Sequence, residues 1–421
     1  RQKFLCGCLE SLAKNYEAAG AKLIIRQGDA AKELEKLVRE SGADALYFNR
    51  DVDPYGIAKE NEVTEKIGSM GCKISSFKDV VLHEKNEVLT GSDSPYKVYT
   101  PYSNNWMGQE KDAPLPRVKK LSTPSGIDSL KLPTLKTWGL SEPDADILEP
   151  GERAARERLK NALGGVIGSY DDTRNTPDVS GGLTTSRISQ DLRFGLLSCR
   201  EVYAKAAAYH EDGRRSASQR KSAHVYLKEI AWRDFYMALL GHFPEVLEKE
   251  FKEDWRGLDW KEGSGENFER WQKGETGFPI VDAGMRELAA TGFMHNRVRM
   301  IVSMFLTKDL RIHWMAGESH FMQKLVDGEI ASNNGGWQWS AGTGADAAPY
   351  FRIQNPWTQT KSYDPEGKYI KQWVPELKDV APKRLQEPPE DNPFGSGYPT
   401  PVVNHKAERE KTLAWFKKFR G

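Results

Sequence analysis

Apolar residues in this chain alternate between two spacings as far as about Ser103 and keep a single spacing after about Ile147, so two unlike architectures must follow one another. Leu5–Ala19 and Ala31–Ser41 carry apolar residues at helical intervals, and the short run Lys22–Ile25 between them, ending at Gly28, reads as a strand. The strand Ala45–Asn49, a helix near Glu60–Met70 and the strand Lys73–Phe77 continue the alternation. Strands separated by helices pair in parallel, because the return to the same edge of a sheet needs a helix-length crossover. Residues 1–103 are therefore expected to form an α/β domain with a parallel sheet. The stretch from Pro101 to Pro143 holds Pro114, Pro116, Pro124 and Pro133, and residues 104–147 read as an interdomain linker. From 148 to 421 the period is close to 3.6, as in Val281, Met285, Leu288 and then Val298, Ile301, Val302, Phe305, which implies a large all-α domain. Within it Asp379–Pro401 reads as a loop and Val403–Phe419 as the last helix.

A chain of 421 residues has room for two such domains. Net charge is only +1, so binding to nucleic acid has to come from a local cluster of cations. Cys6, Cys8, Cys72 and Cys199 form no CxxC and no Cys/His ligand set, so they are read as reduced structural thiols and no metal site is expected. No apolar run approaches the roughly 20 residues of a membrane span, and no secretion signal opens the sequence. Those readings imply a soluble protein of the cytoplasm or nucleoid, the nucleus or an organelle. Ten of the twelve tryptophans gather in the C-terminal half, where large aromatics fill a helical core or pass electrons.

Three clusters carry chemistry. Glu229, Trp232 and Arg233 lie three and four residues apart and share a helical face. In Met294-His295-Asn296-Arg297-Val298-Arg299-Met300, Asn296, Arg299 and Met300 do the same. The third runs from Asn333 through Trp337 and Trp339 to Asp346 and Arg352. As a helix it puts Asn333 and Trp337 on one side and turns Trp339 to another. Any one cluster alone reads as a surface helix with ion pairs. Together, a carboxylate, indoles, amides, guanidiniums and a thioether need partners that a plain core does not supply. The run Thr185-Ser186-Arg187-Ile188-Ser189 offers hydroxyls and backbone amides at the opening of a helix, which suits a pyrophosphate and equally a simple N-cap.

The order and spacing of these clusters resemble the flavin site of the photolyase/cryptochrome family, specifically class I cyclobutane pyrimidine dimer (CPD) DNA photolyases, across nearly the whole chain. The resemblance implies a Rossmann-like α/β domain followed by a helical FAD-binding catalytic domain. The Trp-Phe-Arg-x-Asp-Leu-Arg motif of the family's first strand does not occur, so the α/β domain is expected to lack its first strands. By resemblance, FAD would contact Tyr170, Thr185, Ser186, Arg187, Ile188, Ser189, Arg233, Asn296, Arg299, Asp327, Glu329 and Asn333. Asp327 would pair with Arg299, Glu329 stands where the family usually has Asp, and Asn333 would face the flavin N5 position. Glu229 and Asn296 would hold the pyrimidine edges of a flipped dimer, with Trp232, Met300 and Trp339 as pocket walls. Arg174, Arg297, Arg352 and Gln359 would contact DNA, and Trp337, Trp314 and Trp260 would form the electron relay.

The implied activity is that of a deoxyribodipyrimidine photo-lyase, a light-dependent DNA repair enzyme. FAD, as FADH⁻, donates a photoexcited electron to the dimer in UV-damaged DNA and splits it into two pyrimidines. Met300 and Asn296 favour the cyclobutane lesion, because the (6-4) photolyases place histidines in this helix. A cryptochrome-type blue-light photoreceptor is the alternative, against which stand Asn333 and the Glu229/Trp232/Met300/Trp339 pocket. The segment Asn49-Arg50-Asp51-Val52-Asp53-Pro54-Tyr55-Gly56 resembles a loop lining the cleft for an antenna chromophore, a folate or a deazaflavin. A monomer with no membrane contact is expected.

Overall fold

The computed structural model describes residues 1–420 except 178, 180, 181, 390–393, 395 and 396, so part of the expected loop Asp379–Pro401 lies outside the described residues. The N-terminal part comprises helices α1 (Gln2–Ala18), α2 (Ala30–Ser41) and α3 (Pro54–Gly68) with strands β1 (Ala45–Asn49) and β2 (Lys73–Phe77). Asp29 caps α2 by accepting from the Lys32 amide, and Gly42 ends it with φ of 66°. Asp53 caps α3 through the Gly56 amide, with Pro54 at the first helical position, where its missing N–H costs nothing. β1 and β2 pair in parallel, from Ala45 opposite Lys73 to Asn49 opposite Phe77, and α3 is the crossover.

Lys22–Ile25 is not a strand, contrary to the sequence reading. It runs extended along the connector instead. The Lys22 amide donates to Thr123 Oγ1 and the Ile25 amide to Ser129 Oγ, while Ile25 O accepts from the Leu130 amide. The apolar run that suggested a strand is extended, but side-chain hydroxyls take the place of a ladder partner.

Helix α4 (Tyr99–Gly108) crosses the expected boundary at residue 103. Pro101 sits in its first turn, where no intrahelical bond is lost. Tyr102 and Trp106, one turn apart, are fully buried. Trp106 Nε1 donates to Asp234 Oδ2 at 3.0 Å, and the Leu82 and His83 amides reach the same oxygen. Asp234 thereby joins α4, the segment after β2 and the longest helix of the C-terminal part.

That part contains α5 (Glu152–Asn161), α6 (Ile167–Thr173), α7 (Ser189–Arg193), α8 (Cys199–Glu211), α9 (Ala217–His242), α10 (Glu266–Lys273), α11 (Pro279–Thr291) and α12 (Asn296–Met304). After them come α13 (Trp314–Lys324), α14 (Ile330–Ala341), α15 (Pro356–Tyr363), α16 (Lys368–Trp373) and α17 (His405–Arg420). One apolar core unites Trp271, Phe305, Trp314, Phe321 and Trp337. A second unites Phe4 and Cys8 of α1 with Tyr102, Trp106, Ile167 and Phe235, so α1 and α4 pack on the helical part. Each such large side chain contributes roughly 1.5–3 kcal/mol when fully buried. Wide π-type turns interrupt the helices at Ala162–Val166, between α5 and α6, and at Phe305–Asp309, after α12.

Candidate functional site

The site is assembled around α9, 26 residues long and started by a capping box between Ser216 and Gln219. Glu229, Trp232, Arg233 and Tyr236 follow one another along it at helical spacing. Glu229 is ion-paired with Arg174 at the end of α6, and about a third of each side chain remains accessible (33% and 35%). Burial pushes the Glu229 carboxyl above its usual range, and the Arg174 charge opposes that. The neighbouring Asn175 accepts from Arg297 Nη2 at 2.5 Å through Oδ1. The Arg297 guanidinium lies over the Tyr363 ring at 4.6 Å, and its buried Nε has no partner among the described residues. Asn296, exposed, opens α12 beside it. The end of α6 thus brings Glu229, Arg174, Arg297 and Asn296 to one mouth.

Beside that mouth stands an aromatic wall. Trp232 stacks face to face on Tyr99 of α4, with centroids 3.5 Å apart and planes 8° apart, and lies 5.5 Å from Tyr236. Tyr99 Oη donates to Lys228 O at 2.6 Å, and its amide donates to Asp346 Oδ2 at 3.2 Å. Asp346 adopts φ of 45°, a left-handed conformation that turns the chain after α14 back toward α4. Met300 and Trp339 are half-buried on α12 and α14, which are tied by a buried hydrogen bond between Ser303 and Ser340 (2.7 Å). Ser303→Ala is expected to cost about 1 kcal/mol in denaturant unfolding, and the double change with Ser340→Ala should cost less than the two single changes together, because their shared hydrogen bond is lost only once.

The polar floor centres on Arg299, which donates from Nη2 to Asp327 Oδ2 at 2.8 Å and from Nε to Met294 O at 2.7 Å. Asp327 Oδ1 is buried with no partner among the described residues. Glu329 is engaged otherwise: its two oxygens accept from the Ala331 and Ser332 amides at 2.8 Å each, capping α14. Asn333 donates from Nδ2 to Glu318 O (3.0 Å) and Glu318 Oε1 (3.1 Å), which leaves its Oδ1 for another donor. Burial raises the Glu318 carboxyl, and the Asn333 amide opposes it. Arg187, with φ of 52°, lays its guanidinium on Phe293 at 3.5 Å. Tyr226 Oη is 3.1 Å from Ser186 Oγ, and Tyr170 meets the Tyr226 ring edge-on at 5.2 Å. Thr185 is half-buried, Ser189 is exposed, and Ile188 is packed into the core just before α7. Arg352 is exposed in the segment leading into α15 and Gln359 is half-buried within α15, and the side-chain contacts described above do not extend to them.

The turn between β1 and α3 borders a cleft. Asp51, Val52, Asp53 and Asp79 line it from one side, and Arg193, Ser198, Arg233 and Glu329 from the helical side. Arg233 also donates to Val80 O, which spans the two parts.

The tryptophans come together although their positions are far apart in sequence. Trp337 is buried on α14, while Trp339, two residues on, is half-buried. A Cβ placed on Gly317 would lie 2.1 Å from Trp337 Cη2, so the ring rests directly on α13, one turn from Trp314. Trp314 and Trp260 both donate Nε1–H to Glu250 Oε1, at 3.2 Å each. Sequence reasoning missed Tyr99, Asn175, Glu250 and Glu318. Their partners are all distant in sequence, and only the aromatic pattern Tyr99, Tyr102, Trp106 hinted at a buried helix there.

Comparison with known proteins identifies the family. The family profile described as DNA photolyase matches residues 1–120, and that described as FAD binding domain of DNA photolyase matches residues 226–418. A deoxyribodipyrimidine photo-lyase of Synechococcus sp. is 40% identical over 429 aligned positions, covering 100% of this chain and 87% of its own. The crystal structure of a class III photolyase from Agrobacterium tumefaciens superimposes with a TM-score of 0.91 at 37% identity, covering 100% of this chain and 88% of its own. A Synechocystis cryptochrome gives 0.88 at 26% identity, covering 98% and 88%. With both halves matched and a full-length relative at this identity, the chain belongs to the DNA photolyase family.

Proposed function

We propose that this protein is a light-driven repair enzyme that splits cyclobutane pyrimidine dimers in UV-damaged DNA, using bound FAD. The observation that carries this reading is the mouth where Glu229 and Trp232, on one face of α9, meet the Arg174 and Arg297 guanidiniums. It offers a carboxylate for pyrimidine edges, a stacking surface for bases and cations for phosphates. Arginine's planar donor fork grips phosphate without reading sequence, which suits a lesion-specific, sequence-indifferent enzyme.

The floor residues fit a flavin. Asp327 Oδ1 is a buried acceptor without a partner, and Arg299 fixes the orientation of that carboxylate. Asn333 Oδ1 is left to accept from the N5 side of the ring, because Glu318 holds the amide nitrogen. Tyr170, Thr185, Ser186, Arg187, Ile188, Ser189, Arg233, Asn296 and Glu329 complete the set we assign to FAD, with Glu329 acting through the helix it caps. When bound as FADH⁻, FAD supplies the light absorption and the single electron that break the C5–C5 and C6–C6 bonds, the electron afterwards returning.

The chain's own residues bind and orient the dimer. Glu229 and Asn296 hold its polar edges and offset the charge it acquires, while Trp232, Met300 and Trp339 exclude water from the pocket. Trp337, Trp314 and Trp260 are assigned to deliver electrons from the surface when the flavin has to be reduced. For a second, light-gathering chromophore of the folate or deazaflavin class, Asp51, Val52 and Asp53 supply one wall of the cleft between β1 and the helical part. Among the described residues no helix is long and apolar enough to cross a membrane.

A blue-light photoreceptor without repair activity is the second reading, favoured by the likeness to the Synechocystis cryptochrome fold. Purified, photoreduced protein incubated with a thymine-dimer oligonucleotide separates the two. Recovery of thymine absorbance in illuminated but not dark samples is expected. A flavin-bearing protein that gives no recovery under light overturns the repair reading and favours the photoreceptor.

A further inference from the structure

The three assigned relay tryptophans do not end the chain of indoles. Trp260 meets Trp415 of α17 edge-to-face, with centroids 5.0 Å apart and planes 74° apart. Trp415 and Trp260 are both half-buried, whereas Trp314 is fully buried, so the indoles reach solvent from Trp260 outward. Two indoles in van der Waals contact leave no gap for an electron to cross. Further in, Glu250 is 5% exposed and accepts from both Trp314 and Trp260 on one oxygen, which fixes the mutual placement of those two rings. The other branch is closed: Trp271 lies 6.1 Å from Trp337, but it is fully buried and its indole N–H is engaged by Val302 O.

We propose that Trp415 is a fourth and outermost member of the electron relay, with Glu250 the positioning residue that couples the two indoles before it. The proposal rests on the relay reading above and extends it. One electron passes from Trp415 to oxidised Trp260, which returns to its neutral form and leaves Trp415 one electron short. The Trp415 indole N–H then gives its proton to water, and an external thiol supplies a hydrogen atom that restores the residue, becoming a thiyl radical. Solvation draws the charge out of the dry core at Trp314, and the last step shares it over two half-buried rings in contact. An indole radical cation carries a full charge, and a charge is held more cheaply where water reaches it than in a dry core.

The flavin-loaded full chain tests this by flash transient absorption, comparing wild type with Trp415→Phe, Trp415→Tyr and Trp260→Phe. Trp415→Phe is expected to shorten the charge-separated state several-fold and to lower thiol-dependent photoreduction by a similar factor. Trp415→Tyr, which restores an oxidisable ring, should fall between, and Trp260→Phe should shorten the state further. Illumination with a radical trap followed by peptide mapping should place the adduct on Trp415 in the wild type, a readout that needs no variant to fold. A wild-type lifetime in Trp415→Phe, or a wild-type adduct on Trp260 alone, overturns the fourth member and leaves the three-residue relay standing. No flash-induced flavin reduction in the wild type overturns the relay and this extension together.

Discussion

Glu229→Ala is expected to weaken binding of a dimer-containing oligonucleotide about 10- to 100-fold and to cut light-dependent repair at limiting substrate by a similar factor, with flavin retained. A hydrogen bond to a charged group contributes roughly 1.5–3 kcal/mol, and about 1.4 kcal/mol is one decade. Two things are lost together. The carboxylate no longer accepts from the lesion, and Arg174 loses the partner that tethers it at the end of α6. Glu229→Gln separates them, since an amide oxygen can still accept while the ionic pairing with Arg174 is gone. Gln should therefore fall between wild type and Ala. A dark gel-shift titration gives the affinity and absorbance recovery gives the repair. If Ala binds and repairs like the wild type, the mouth at Glu229 does not hold the dimer.

The reasons some of this was legible in the sequence, and some not, are physical. Strands Ala45–Asn49 and Lys73–Phe77 have the bounds read from the sequence, because each is a short segment bracketed by turn residues and the two are joined by a helix-length crossover. Lys22–Ile25 has the same local composition, but whether an extended run pairs in a ladder depends on what lies beside it, and there the connector presents Thr123 and Ser129. Helix α4 was hidden by Pro101 and by its position in a proline-rich stretch, although Tyr102 and Trp106 at one-turn spacing are the signature of a buried face.

In the site, residues on one helix were visible together, as with Glu229 and Trp232, or Arg299 and Met300. The Arg299–Asp327 pair spans 28 positions and was expected by resemblance alone. Arg174 was assigned to DNA, and the structure adds that it carries Glu229, 55 positions away. Glu250 joining Trp260 and Trp314 had no local signal at all: a glutamate in an acidic, lysine-rich stretch looks like solvated surface until the fold buries it.

Asp327→Ala is expected to yield protein that purifies without flavin. Asp327 holds Arg299 with one oxygen and keeps the other buried and open, so it is both the counter-charge of a guanidinium and an acceptor awaiting a donor. Removing one partner of a buried, hydrogen-bonded charge pair costs roughly 2–5 kcal/mol, largely because the remaining charge stays desolvated. Here Arg299 would face Phe293 and lie near Arg187 with no carboxylate to balance it. That cost falls on the folded protein, while FAD loses the hydrogen bond to the open oxygen, roughly 1.5–3 kcal/mol or about 10- to 100-fold in affinity. Asp327→Asn keeps the volume and one acceptor oxygen but not the charge, and should bind FAD weakly rather than lose it. The measurement is the visible spectrum of the purified variants, followed by titration of flavin-free protein with FAD. Fully yellow Asp327→Ala with unchanged affinity would move the flavin away from the Arg299–Asp327 floor. A colourless but folded variant, refilled only at high FAD, would place the ring against that open carboxylate oxygen and make the pair the anchor of the site.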